Sequence, residues 1–108
     1  MASAKLIVIY PQPKDVGVFE QVYQNEHVPM AVEKLAGKTK IAASKVVGSP
    51  QGTPAFYRIV EVHFPSMQAL QKCAASEGAK LTLGHAVSIS SGGPPIFLVA
   101  EEETFTFE

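Results

Sequence analysis

A single cysteine in 108 residues, Cys73, leaves the chain without an internal disulfide, so packing and hydrogen bonds must hold the fold. Cys73 falls between Leu70 and Ala74 in a helical pattern where any small apolar residue would serve, which marks it as filler. Charge of one sign is also missing. The 9 basic and 10 acidic side chains are scattered along the chain and give no patch for nucleic acid or anionic membrane. No apolar run is long enough to span a bilayer, and Leu6 to Ile9 is too short for a secretory leader, so a cytoplasmic location is expected. The three histidines, His27, His63 and His85, lack ligand spacing, and the nearest acids, Glu26 and Glu61, fall on the wrong side of their elements to share a metal. Ser91-Gly-Gly-Pro-Pro95 leads into a strand rather than a helix, so it makes no phosphate cradle. The expectation is a protein without metal or cofactor.

What is present is a core. With 46% hydrophobic residues the chain forms one domain over 1–108, able to bury roughly 65% of the surface its unfolded form exposes. Its informative stretch is Phe19-Glu-Gln-Val-Tyr23-Gln-Asn-Glu-His27-Val-Pro29-Met30, which sets two aromatics and a histidine at four-residue intervals on one helical face before a proline. Pro29 removes the N–H that would bond the Asn25 carbonyl, so a kink or break is expected beside His27.

The remaining elements follow from pattern. Lys5 to Tyr10 is a β-branched run closed by Pro11, read as a central strand buried on both faces. Asp15 caps a helix from Val16 to about Leu35, ended by Gly37. Ile41 to Val47 is a second strand, residues 48–54 a loop at the rim of a cleft, and Ala55 to Phe64 a third strand alternating Phe56, Arg58, Val60, Val62 and Phe64 against Tyr57, Ile59, Glu61 and His63. Ser66 caps a second helix carrying Met67, Leu70 and Cys73, loosened at Gly78, with a short helical turn over Ala79 to Leu83. His85 to Pro95 reads as a serine- and glycine-rich loop, and Ile96 to Ala100 as a last strand able to continue to Phe107, with Glu101 to Glu103 a solvated edge. The order β-α-β-β-α-β gives an α+β, ferredoxin-like sandwich with both helices on one face of the sheet. The other face is left bare, and a second copy of the chain is its simplest cover, which predicts a homodimer.

Tyr10-Pro11 at the end of the first strand, Phe19-x-x-x-Tyr23-x-x-x-His27-x-Pro29, and His63-Phe64-x-Ser66 before the second helix resemble the EthD family, named for ethyl tert-butyl ether degradation, in the dimeric α+β barrel superfamily. The resemblance implies a protomer that pairs through its sheet, with a cleft between helices and sheet. It also implies relatives that include cofactor-free isomerases, cyclases and quinol-type monooxygenases, alongside members with no established reaction. Haem ligation, found among more distant barrel relatives, would demand a much larger cavity.

For the site, His27 matches the motif histidine and could carry a proton to or from an apolar or aromatic carbonyl compound, with Tyr23 or Tyr10 orienting it. Phe19, Met30, Phe64 and Arg58 are the candidate substrate-binding residues, although Arg58 could instead pair with Glu61 or a helix acid. A different reading is a non-catalytic dimer that binds or escorts a hydrophobic compound for a partner oxidoreductase.

Overall fold

The computed structural model describes residues 3–108. Strand β1 (Ser3–Pro11) leads to α1 (Val16–Val22), a π-helical segment (Tyr23–His27) and α2 (Val28–Lys34). Then come β2 (Lys40–Lys45), β3 (Phe56–Phe64), α3 (Met67–Ala74), α4 (Glu77–Ile89) and β4 (Ile96–Glu102). The sheet runs β2-β3-β1-β4 with every neighbour antiparallel. This is the expected ferredoxin-like α+β arrangement, with β1 and β3 central.

Of the kink or break expected beside Pro29, the break is absent, and the helix departs from regular winding just before it. Asp15 starts α1 by accepting the Val18 N–H at 3.0 Å, and the helix continues through Pro29, which sits in the first turn of α2 where no partner is needed for its nitrogen. One wider turn, Tyr23–His27, accommodates the proline instead. That turn also explains the four-residue spacing. In a regular helix each step of four residues drifts by about 40° around the axis, so Phe19, Tyr23, His27, Ala31 and Leu35 would spiral off a single face. The π segment winds back part of that drift, and all five are buried. Val16 and Val32, apolar positions of a regular helical period, are exposed.

The stretch after Ala74 also differs from expectation. The short turn over Ala79 to Leu83 and the first five residues of the loop expected from His85 belong to one helix of 13 residues, α4, and 90–95 remain loop. Ser76 caps it by accepting the Ala79 N–H at 3.1 Å while its hydroxyl donates to the Cys73 carbonyl at 2.6 Å. Ala79, Thr82 and Ala86 form its buried stripe. Gly78, expected to loosen a helix end, instead lets α4 touch α2, since a Cβ there would stand 2.5 Å from the Lys34 carbonyl oxygen.

On the far face of the sheet the register sets Ile9 beside Ile59 and Ile96, and Ile7 beside Glu61 and Leu98. Nothing among the described residues packs over these side chains from another layer. At one end of this face Lys5 lies 3.2 Å from Glu61 and 3.5 Å from Glu102, and His63 stands 3.5 Å from each of the same two carboxylates. β4 stops at Glu102 rather than reaching Phe107, and Phe105 and Phe107 are exposed. No helix among the described residues is long and apolar enough to cross a membrane.

Candidate functional site

Tyr10 ends the helix-facing row of β1 and is fully buried. Its ring meets Phe19 edge to face at 5.2 Å and Tyr23 at 6.0 Å, so the first strand and the α1 stripe share one aromatic cluster. The Tyr10 hydroxyl lies 3.2 Å from His27 Nε2, and His27 Nδ1 lies 3.0 Å from His85 Nδ1, with the two imidazoles stacked at a 13° interplanar angle. His85 Nε2 then points to the Glu26 carboxylate at 3.8 Å. Four side chains from β1, the π segment and α4 thus form one line from the core to the surface.

The chain of contacts selects its own proton placement. His27 Nε2 is the one hydrogen-bond partner of the Tyr10 hydroxyl among the described residues, and burial keeps that phenol protonated, so its O–H donates there rather than standing buried and unpaired. His27 Nε2 therefore accepts, which puts the ring proton on Nδ1. His27 Nδ1–H donates to His85 Nδ1, and His85 must carry its own proton on Nε2, facing Glu26. Burial, and the like charge His85 would bring, lower the His27 pKa to about 4, so the ring is neutral near pH 7.

Space around the line is divided. Tyr10, Tyr23, His27 and Thr82 border an interior cavity of about 30 Å³, room for ordered water and not for an aromatic ring. On the other side of His85 a groove of about 450 Å³ opens between α1 and α4, with Val18, Phe19, Val22 and Ile89 as its apolar wall and Lys14, Asp15, Glu26, His85, Ser88 and Ser91 as its polar one. One end of the groove is tied shut by the Lys14 N–H, which donates to Ser91 Oγ at 3.0 Å. The close approach of these loops depends on Gly92, where a Cβ would lie 1.8 Å from the Gln12 carbonyl oxygen.

Of the residues expected from sequence, Tyr10, Tyr23 and His27 come together, with Tyr23 meeting His27 through its ring at 5.8 Å. Phe19 lines the groove. Met30 and Phe64 line neither space, and neither do residues 48–54, expected as a rim. Arg58 is engaged elsewhere: its guanidinium grips Glu20 through two bonds of 3.0 and 2.8 Å and lies 4.5 Å over the Tyr23 ring. That pairing with a helix acid holds the Glu20 carboxyl below its usual range. No group of three or more potential metal ligands occurs among the described residues.

His85 and Glu26 were not among the sequence candidates. His85 was hidden by the serines and glycines around it, although Ser76-Glu77 and the 3-4-3 spacing of Ala79, Thr82, Ala86 and Ile89 carry a helical signal.

No family model and no curated protein matches the chain. Among solved structures, an ethyl tert-butyl ether degradation (EthD) family protein from Bacillus halodurans C-125 superposes with a TM-score of 0.85 at 28% identity, covering 95% of this chain and 100% of its own. The chain is EthD-like. Two more distant structures share the fold. A dimeric ferredoxin-like protein from Bacteroides fragilis NCTC 9343 has a TM-score of 0.62 at 14% identity, covering 93% and 96% of the two chains. The hydroxynitrile lyase of Passiflora edulis has a TM-score of 0.70 at 13% identity, covering 96% and 97%. The EthD-like fold therefore occurs in proteins described as dimeric and in at least one described as a lyase.

Proposed function

We propose that this EthD-like protein binds a small apolar or aromatic carbonyl compound and performs cofactor-independent proton transfer on it, as an isomerase- or cyclase-type enzyme working as a homodimer. The observation that carries this reading is the Tyr10, His27, His85 line, which connects the motif histidine to a groove of ligand size. An ordinary core histidine would be satisfied by backbone groups, whereas here both ring nitrogens serve other titratable side chains. The bare sheet face and the dimeric Bacteroides fragilis relative support pairing through the sheet, on the side opposite the groove.

A panel of aromatic ketones and lactones, incubated with metal-free protein in D2O and followed by NMR for loss of α-proton signal, tests the reading. Catalysed exchange is expected, and His27→Ala, which breaks the line, should reduce it. One observation favours a second reading, a non-catalytic carrier of a hydrophobic compound: His27 does not titrate near pH 7. Saturable binding of a panel member with no exchange above the buffer rate would select the carrier.

A further inference from the structure

We infer that the substrate is seated in the outer groove and not beside His27, and that His85 Nε2–H and the Glu26 carboxylate are the two groups that touch it. The inference rests on the proton-transfer reading and names its reacting atoms and substrate class.

The interior cavity, at about 30 Å³, cannot hold a carbonyl compound of aromatic size, and His27 has both nitrogens occupied. The groove, at about 450 Å³, lies within the range of small-molecule sites. His85 stands on the line and on the groove wall, and its exposed nitrogen has a fixed role. Because Tyr10 donates to His27 and His27 to His85, the nitrogen facing the groove is a donor. Held in place by that relay, it suits a carbonyl oxygen that gains negative charge during reaction. Glu26, 3.8 Å away, places an acceptor beside that donor. A donor and a carboxylate side by side, against the apolar flank of Val18, Val22 and Ile89, fit a ketone or ester with an acidic C–H next to its carbonyl.

The step balances without a further reactant. Glu26 takes the α-proton, the C–H electron pair becomes the enolate C=C bond, and the oxygen charge is held by the His85 Nε2–H hydrogen bond. Glu26 then returns the proton to the same or a conjugated carbon, giving exchange or isomerisation. Tyr10 and His27 are positioning residues in this scheme. They hold the His85 tautomer.

The test has two independent parts. Long-range ¹H–¹⁵N spectra of the wild-type histidines should show His27 protonated on Nδ1 and His85 on Nε2, and Tyr10→Phe should convert His85 to a tautomer mixture. An Nδ1–H form of His85 in the wild type overturns the inference whatever the activity. In the D2O assay with phenylacetone and the wider carbonyl panel, Glu26→Gln should lower exchange by about 10²- to 10⁴-fold and His85→Gln by about 10²- to 10³-fold. Tyr10→Phe should lose less, in proportion to its wrong-tautomer population. Exchange that persists unchanged in Glu26→Gln and His85→Gln removes the groove assignment and leaves proton transfer standing. No exchange of any panel member by wild-type protein removes the proton-transfer reading itself, while the tautomer spectra still decide the arrangement of the line.

Discussion

Each face of the sheet carries a histidine, buried on one and half-buried on the other, and the two are treated in opposite ways. On the helical face His27 has a partner for each nitrogen, Tyr10 and His85, neither of them a carboxylate. On the bare face His63 stands between Glu61 and Glu102 at 3.5 Å each, and its Nε2 is buried without a hydrogen bond. The first environment fixes a neutral ring and a direction for its protons. The second is an open cluster of charges beside a row of apolar side chains, the composition of a surface that closes against another molecule. In the proposed reading, chemistry and association lie on opposite faces of the sheet, and variants should affect one without the other.

The largest effect is expected from Leu98→Glu. Leu98 lies beside Ile7 in the row of the bare face, and a two-fold interface meets the substitution twice. At about 2 kcal/mol for each buried anchor, the dimer loses about 4 kcal/mol, or about 10³ in Kd. Light scattering at micromolar concentration should show a dimer for the wild type and a monomer for the variant. Groove chemistry should survive in that monomer. A wild-type protein that is already monomeric would break the comparison, because the bare face would then need another cover.

Next in size is Arg58→Met on the helical face. Arg58 is nearly buried, and its bidentate bond with Glu20 joins β3 to α1 while its guanidinium covers the Tyr23 ring. Its loss leaves Glu20 with Lys45, 3.9 Å away, as its nearest cation, and should cost about 2 kcal/mol in urea unfolding. Lys5→Met, which removes a cation from the charge cluster of the other face, should cost the protomer far less, since those charges keep contact with water.

A pH titration sharpens the contrast further. His27 has a folded pKa of about 4, below its unfolded value near 6.5. Above pH 6.5 the ring is neutral in both states and stability is independent of it. Between pH 6.5 and about 4 the unfolded chain binds a proton that the folded one refuses, so stability falls as pH falls, with a slope of at most about 1.4 kcal/mol per pH unit. Glu20, held low by Arg58, adds its own loss as pH falls below about 4.5, its unfolded value, and on through its lower folded one. His27→Gln should flatten the upper window in urea titrations and leave the lower one.

How much of this was legible in the sequence depended on how far apart the interacting residues lie in it. The β-branched run to Tyr10, the period of two in β3 and the caps at Asp15 and Ser66 are local signals, and they place the layers correctly. The Phe19, Tyr23, His27 spacing was visible, but its cause, one turn of π-helix, needed the buried rings of Tyr10 and Tyr23 to show which face the helix keeps. His85 could not be paired with His27 while α4 was read as a loop, and 58 residues separate the two. Arg58 offered several acids as partners, and only the packing of α1 on β3 selects Glu20.

The smallest effect tests whether the line depends on local helix stability or on the packing around it. Ser76 begins α4 by accepting the Ala79 N–H and has no contact with the histidines, so Ser76→Ala should cost about 1 kcal/mol. For a domain of this size that is a drop in Tm of about 4–8 °C. The His85 tautomer and the exchange rate should stay as in the wild type. The reason is geometric: His85 is more than two turns beyond the cap, and the intervening Ala79 and Thr82 are buried. Fraying at Ser76 must stop where those side chains meet the core. An unchanged tautomer in a less stable protein would show that packing holds the histidine line, whereas a tautomer mixture in Ser76→Ala would show that α4 is positioned from its first turn and that the line tolerates no slack.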